Sequence, residues 1–444
     1  MRKSFCFFAQ RSSLTVCFIF FLSLLSVLFV SCHSAAPKAS PFVHVENGQF
    51  VRGGQPYYFV GTNFWYGAIL GSTGQGGDRA RLARELDYLK SIGIDNLRVL
   101  VGADGERGVP AKIEPTLQTA PGVYNDTIFD GLDYFMAELG KRDMTAVLYM
   151  NNSWEWTGGY SVYLEWAGEG KAPIPAVDGW NAFQHHVAKY AQNDSAKAMF
   201  KRHVQHVVTR TNRYTRKPYT EDPALFAWQI GNEPRPFGQR NFKAFEEWVL
   251  DVAAQIKGLD PNHMVATGSE GKYGCESDVA MCERIHADKN IDYLNFHLWP
   301  LNWNWISDST VCENLPVAKR EAKAYIDLHA EMATRIGKPM VMEEFGFPRD
   351  GFQFSKTSTT HCRDEFYAYI FSLIEADRAA KGPFAGCNFW GWGGFAEPST
   401  QHIWWAVGDD YTGDPAQEQQ GLNSVFASDE STCNIIRDAA QRLR

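Results

Sequence analysis

Residues 225–234 read Leu225-Phe226-Ala227-Trp228-Gln229-Ile230-Gly231-Asn232-Glu233-Pro234, and residues 341–346 read Val341-Met342-Glu343-Glu344-Phe345-Gly346. Each is a short apolar run, the length of a buried strand, that stops on a carboxylate and then on a turn residue. Working outward, similar apolar runs fall at Tyr57 to Gly61, Asn96 to Val101, Ala146 to Met150, Met264 to Thr267, Tyr293 to His297 and Ala385 to Trp390, with Pro339 to Glu343 in the second quoted stretch. Between them, Asp78 to Ile92, Asp130 to Arg142, Asn241 to Lys257 and Val317 to Ile336 carry apolar residues at helical spacing. Eight strand-then-helix units in one chain predict an α/β fold of the (β/α)8 TIM-barrel type. A doubly wound open sheet is the runner-up, but no Gly-rich phosphate loop follows the first strand. Ahead of the barrel, Phe42 to Val51 reads as a β-hairpin turning at Asn47-Gly48.

A barrel puts its chemistry at the C-terminal ends of its strands, where Glu233 and Glu344 stand on strands four and seven. A Glu held at a strand mouth by Pro or Gly belongs to a rim. Two such carboxylates from distant strands are what glycoside hydrolysis requires, one to donate a proton and one to face the anomeric carbon. Strand neighbours point opposite ways, so one of Glu343 and Glu344 is expected to face the cleft. Glu344 is preferred because it is nearer the strand end. Other strand ends add Asn63-Phe64-Trp65-Tyr66, Asn151-Asn152-Ser153-Trp154, His297-Leu298-Trp299-Pro300 and Trp390-Gly391-Trp392. Arg98, inside strand two, has to be paired if it is buried. Trp390 and Trp392 share a face by alternation, so the sequence does not separate them. Repeated Trp, His and Asn at strand ends describe a cleft lined for stacking sugar rings and bonding hydroxyls.

Composition narrows the partners. The chain begins with Met1-Arg2-Lys3, runs apolar from Leu14 to Val30, and reaches Ser31-Cys32. This is the pattern of a secretory signal over residues 1–31, and the Ser-Cys junction resembles a lipoprotein processing site with Cys32 as the lipidated residue. Residues 32–41 read as a tether, and 42–444 as the single catalytic domain. Loss of Arg2, Lys3 and Arg11 with the leader takes the net charge from −8 to −11. That balance argues against nucleic acid and against anionic polymers, and leaves a neutral polysaccharide as the acceptable partner. The 14 Trp, 18 Tyr and 30 Phe lean the same way. Six cysteines lie beyond Cys32; the close pair Cys275 and Cys282 could staple a loop, whereas Cys387 reads as a free core residue. No Cys or His spacing resembles a metal site, and neither a metal nor an organic cofactor is expected.

Taken together, the motifs Gly61-Thr62-Asn63-Phe64-Trp65-Tyr66, Asn151-Asn152-Ser153-Trp154, Gly231-Asn232-Glu233-Pro234-Arg235, His297-Leu298-Trp299-Pro300, Glu343-Glu344-Phe345-Gly346 and Phe389-Trp390-Gly391-Trp392-Gly393-Gly394 resemble glycoside hydrolase family 5. The finer pattern resembles its β-mannanase branch, from Phe42 to the C-terminus. The resemblance implies that Glu233 is the acid/base, Glu344 the nucleophile, and Asn232 a partner of the sugar 2-hydroxyl. It implies that Arg98 keeps Glu344 anionic, that His297 orients groups around Glu233, and that Trp390 floors the reacting subsite, with Trp154 and Trp299 beside it. Asn152 and Trp392 join them as candidate substrate-binding residues. Trp299 stands where the family commonly carries Tyr.

The expected activity is therefore a retaining endo-β-1,4-mannanase, with no cofactor, working as a monomer. An endo-β-1,4-glucanase is the alternative within the same chemistry. A non-catalytic glycan-binding lipoprotein is the alternative outside it, disfavoured because binding alone does not require an acid paired with a nucleophile. In a retaining pair the charge on Glu344 is expected to lift the pKa of Glu233 and keep it protonated. The expected location is the outer membrane through Cys32, or secretion.

Overall fold

Every one of the eight anticipated runs overlaps a strand of one parallel sheet in the computed structural model, which describes residues 40–444. The strands are β1 (Phe59–Asn63), β2 (Asn96–Leu100), β3 (Thr145–Tyr149), β4 (Leu225–Gln229), β5 (Met264–Ala266), β6 (Leu294–Leu298), β7 (Met340–Phe345) and β8 (Phe384–Phe389). A helix follows each: α1 (Arg79–Ser91), α2 (Asp126–Lys141), α3 (Asp194–Val208), α4 (Phe242–Leu259), α5 (Val279–Ala287), α6 (Leu315–Ile336), α7 (His361–Ala379) and α8 (Glu430–Leu443). Side-chain caps fix several starts: Asp78 accepts from the Arg81 amide, Asn125 from Thr127, Asn193 from Ala196 and Asp278 from Met281. Asn125 explains why α2 begins earlier than its apolar periodicity suggested.

The sheet order is β5-β4-β3-β2-β1-β8-β7-β6. Among the described residues no ladder pairs β5 with β6, and one backbone hydrogen bond together with side-chain bonds bridges the seam instead. The Asp292 amide donates to the Val265 carbonyl at 2.9 Å, the Val265 amide returns to the Asp292 carboxylate at 2.6 Å, and Asn295 accepts from the Thr267 amide at 3.2 Å. The barrel floor is apolar. The anticipated hairpin forms as His44–Glu46 with Gln49–Arg52, turning through Asn47 and Gly48 at φ 52° and 75°. It presses the fully buried Phe50 against Phe226 and Tyr293, at ring distances of 5.2 and 5.4 Å.

A register shift decides the catalytic rim. Phe296 pairs with Met342 but His297 with Glu344, so Glu343 is an extra residue on β7. Such a bulge re-aims the side chain after it. The alternation expected for Glu343 and Glu344 is broken, and each carboxylate finds its own polar partners. Glu343 accepts from the Tyr293 hydroxyl at 2.7 Å and from Gln229 at 2.5 Å, and is wholly buried. Glu344 is carried on to the rim.

Cys312 and Cys362 form a disulfide across a separation of 50 residues, tying the loop after β6 to the first turn of α7. Cys275 and Cys282 are buried and unbridged, so the loop staple considered for them is replaced by this longer link. Cys387 is a free, buried core residue on β8, as its apolar setting suggested. The leader, Cys32 and most of the tether lie outside the described residues. Among the described residues no helix is long and apolar enough to cross a membrane.

Candidate active site

Arg98 organises the rim from below. It is completely buried, and its charge is met on every side: Nε donates to Gln229 at 2.8 Å, Nη1 to Asn63 at 3.1 Å and to Glu344 at 2.5 Å, and Nη2 to Asn232 at 2.9 Å. Its guanidinium also lies over the Tyr149 ring at 4.4 Å. A buried cation with this many acceptors costs little to keep, and it aims two rim residues at once.

Glu344 is 2% exposed. Its second oxygen accepts from the Trp299 indole at 3.1 Å and lies 3.3 Å from His297 Nδ1. Trp299 thus supplies a donor where Tyr is common in the resembled family. Gly346 makes room for that indole, since a Cβ there would stand 2.8 Å from the Trp299 ring. Glu233 follows the Gly-Asn corner after β4 with φ at 49°, the left-handed region that non-glycine residues rarely adopt. The Glu233 amide holds this turn by donating to the Gly268 carbonyl at 2.8 Å. Its carboxylate accepts from the Trp154 indole at 2.5 Å and meets His297 Nδ1 at 2.8 Å.

One oxygen from each of Glu233 and Glu344, with a nitrogen of His297, all fall within 4.8 Å of one another. So close an approach of single oxygens agrees with the close spacing class, about 5–5.5 Å between carboxyl groups, in which no water stands between them. The trio could be read as metal ligands by spacing alone. Arg98 and His297 already meet the two carboxylate charges, which is the balance of an acid–base pair.

The proton sits elsewhere than the sequence suggested. Burial would raise the Glu233 carboxyl, but the hydrogen bond and charge of His297, then Arg235 and Trp154, outweigh it and hold Glu233 below its ordinary value. Burial would lower His297, but the charge of Glu344 and the hydrogen bonds to both carboxylates lift it to about 9. The expected upward push of Glu344 on Glu233 is overturned in the free site because a cation stands between them. Both shifts favour the proton on His297, one hydrogen bond from Glu233.

The remaining candidates divide. Asn232 faces the cavity, while Asn152 lies wholly buried behind it. Asn152 accepts from the Trp154 amide at 3.0 Å and from the Asn232 side chain at 3.3 Å, so it orients both and does not itself line the cavity. Trp390 lines the cavity, edge-on to Trp156 and Trp299 at 6.2 and 6.0 Å. Trp392 does not. Strand β8 ends at Phe389 and Trp392 opens a separate short strand beside Val425, so alternation from Trp390 fails. Trp392 is buried against Tyr88 and donates to Glu85 at 2.7 Å, a packing role that corrects its place among the substrate-binding residues.

The cavity encloses about 480 Å³ and includes residues the motifs did not identify as site residues. Arg235 pairs with Glu270 beside Glu233 and lies over the Trp154 ring at 5.2 Å. Glu270 could have been found, since it is another Glu just past a strand and followed by Gly. Glu155, Gln417 and Glu418 also line the cavity, from the β3 and β8 loops, where no periodicity marks them. Burial pushes Glu155 up to about 7 and, with the charges of Asp414, Glu344, Glu233 and Glu155, pushes Glu418 well above the usual carboxylate range.

Comparison with known proteins agrees in fold and family. The family profile described as GH family 5 beta-mannosidase-like matches residues 40–444. A glycoside hydrolase family 5 mannosidase from Rhizomucor miehei superposes with a TM-score of 0.82 at 32% identity, covering 91% of this chain and 97% of that one. A putative mannan endo-1,4-beta-mannosidase of Arabidopsis thaliana is 29% identical over 96% of this chain and 97% of its own length. The endo-beta-1,4-mannanase of Thermotoga petrophila shares the fold, with a TM-score of 0.64 at 22% identity, over 88% of this chain and 77% of its own.

Proposed function

The chain belongs to glycoside hydrolase family 5 and is a glycosidase, and from that premise we propose that it is an endo-β-1,4-mannanase cutting mannan, glucomannan or galactomannan with retention. The observation that carries the chemistry is the close approach of Glu233 and Glu344, within 4.8 Å between nearest oxygens. The choice of mannan rests on relatives, several of which are named mannan endo-1,4-beta-mannosidases.

Glu344, held by Arg98 and Trp299, attacks the anomeric carbon and forms a glycosyl-enzyme. Glu233 protonates the departing oxygen, drawing its proton from His297 along the 2.8 Å hydrogen bond. Water then enters, Glu233 takes its proton, and the sugar leaves with its configuration restored. Asn232, fixed by Arg98, is placed for the 2-hydroxyl, and Trp390 carries the ring under attack. The enzyme works as a monomer.

The test is release of reducing ends from mannan and from carboxymethyl-cellulose. Faster release from mannan, with a ladder of oligosaccharides, is expected. Faster release from cellulose overturns the substrate, and mannose as the sole product overturns the endo mode. The protein is exported and held at the outer membrane through Cys32, a reading supported by the leader and its Ser31-Cys32 junction. Cys32→Ala is expected to move it out of the membrane fraction, and retention there would defeat the anchor.

A further inference from the structure

Glu343 is the residue that the β7 bulge inserts, and it does not line the catalytic cavity. A carboxyl buried inside a barrel is costly to keep, so its partners show what it is there to hold. Both of its oxygens accept: Oε1 from the Tyr293 hydroxyl at 2.7 Å and Oε2 from Gln229 Nε2 at 2.5 Å. Burial pushes the Glu343 carboxyl up, and the charge of Arg98 and the Tyr293 hydrogen bond pull against it. Tyr293 is itself fixed from the barrel floor, edge-on to Phe50 and Phe226 at 5.4 and 6.0 Å.

An amide side chain has one accepting end and one donating end, and a buried one is oriented by whichever neighbour cannot change role. A carboxylate only accepts, so Gln229 turns its NH2 to Glu343 and its oxygen to Arg98 Nε, at 2.8 Å. Turned the other way, Gln229 would set donor against donor at the guanidinium. Asn63 does the same with the backbone of Glu343. Its Nδ2 donates to the Glu343 carbonyl at 2.8 Å, and its oxygen accepts from Arg98 Nη1 at 3.1 Å. Two of the four side chains that accept hydrogen bonds from Arg98 therefore trace back to one residue. The other two, Glu344 and Asn232, line the cavity.

We propose that Glu343 is a positioning residue for glycoside cleavage: through Gln229 and Asn63 it locks the Arg98 guanidinium in the one rotation that reaches Glu344 with Nη1 and Asn232 with Nη2. Glu343 touches no sugar and acts only through Arg98. The inference rests on the roles proposed above for Glu344 and Asn232, and adds what aims the cation that aims them. A guanidinium held only by two rim acceptors would follow any movement of the rim. Two inner acceptors, on Nε and Nη1, remove that freedom before substrate arrives. A shift of about 1 Å at a reacting group is enough to slow the chemical step, so the lock acts on kcat more than on binding.

The test reverses the Glu343–Gln229 hydrogen bond. Glu343→Gln keeps the volume but can offer either a donor or an acceptor, so Gln229 is no longer compelled to turn its oxygen to Arg98. Gln229→Glu sets two carboxyls face to face. In the double variant the carboxyl at position 229 accepts from Arg98 and from the amide at position 343, and the match returns. On an activated aryl glycoside that the parent cleaves, each single variant is expected to lose about tenfold in kcat with KM within about twofold of the parent. The double variant is expected to recover to within about threefold of the parent kcat. The NMR resonance of the buried Arg98 Nε–H, assigned by its disappearance in Arg98→Lys, is expected to shift in Glu343→Gln and to return in the double variant. Unchanged kcat in Glu343→Gln, even with a lower melting temperature, overturns the role, and so does a double variant no faster than the singles. Should a single variant fail to fold, Tyr293→Phe removes only a hydroxyl and one of the two bonds to Glu343. It is expected to lower kcat about threefold at unchanged KM, and unchanged kcat there overturns the role. If the glycosyl-enzyme is trapped on a residue other than Glu344, the role of Glu344 fails separately. The resonance then decides whether Glu343 holds Arg98, and the hold stands only if the resonance shifts in Glu343→Gln and returns in the double variant.

Discussion

The carboxyls of Glu233 and Glu344 and those of Glu155 and Glu418 line one cavity under opposite conditions. In the first pair every oxygen has a partner: Arg98, Trp299 and His297 for Glu344, and Trp154 and His297 for Glu233. In the second pair each residue keeps an oxygen with none. A carboxylate meant to react at one point has to be aimed before substrate arrives, and hydrogen bonds to fixed neighbours do the aiming. The degree of satisfaction therefore separates the two groups that do the chemistry from the two buried beside them, although all are acidic and all line the same cavity.

The sharpest break in that comparison is removal of a reacting group. Glu344→Ala is expected to lower turnover by about 10⁵-fold on mannan and on activated aryl glycosides alike. Glu233→Ala should be comparably damaging on mannan, yet keep glycosylation by substrates with good leaving groups, because these do not need the proton. Rates on both substrate types, with mass-spectrometric identification of the trapped residue, check this. A glycosyl-enzyme on any residue but Glu344 would reverse the roles.

The next effect separates two tryptophans two residues apart. Trp390→Ala is expected to cost about a hundredfold in kcat/KM, as loss of a positioning surface does. Trp392→Phe is expected to leave kcat/KM nearly unchanged and to destabilise the fold by about 1–3 kcal/mol, because buried Glu85 loses a donor. Kinetics beside denaturant unfolding tell them apart, and the assignment fails if Trp392→Phe is the variant that loses activity.

The smallest effect concerns the unmet acid. Glu155 has its pKa raised by burial from 4.5 to about 7. A carboxyl raised in the folded state favours folding in its protonated form, so its cost is absent below pH 4.5, grows through pH 7 and is complete above it. Glu155→Gln is thus expected to stabilise the protein by at most about 3 kcal/mol at pH 8 and to do nothing at pH 4. Melting temperatures at the two values are the check. A variant that melts lower than the parent at pH 8 would mean that Glu155 has a partner after all.

The sequence disclosed the barrel and the reacting pair for one reason: both are written as short local patterns. Eight apolar runs separated by helical ones predict the sheet, and Asn-Glu-Pro and Glu-Phe-Gly mark two strand ends. What it hid depends on register or on distance. The extra residue at Glu343 leaves no compositional trace, so alternation pointed to Glu344 as the cleft-facing residue without foreseeing the bulge that carries it there. Trp392 was misplaced by the same reasoning, continued past the end of β8. Cys312 and Cys362 come together from 50 residues apart, while the nearer pair Cys275 and Cys282 stays unbridged. Gln417 and Glu418 lie on a loop whose course is set by the groups it packs on. The location of the proton was hidden too, since His297 had to be placed between two carboxylates before its charge could be assigned.

The seam between β5 and β6 gives the barrel a direction of failure. Ladder hydrogen bonds lock the other neighbouring strands, whereas a single backbone bond from Asp292 and the side chains of Asp292 and Asn295 hold this pair, and His297 rides on β6 just beyond them. Side-chain ties loosen one at a time, without the cooperativity of a ladder. On warming, the ring would first part along this line, carrying the proton-bearing imidazole on β6 away from Glu233 on the far side of the gap. Catalysis would then fade while most of the barrel still stood, so an activity half-life would report on one seam, and the melting of the rest would follow at higher temperature.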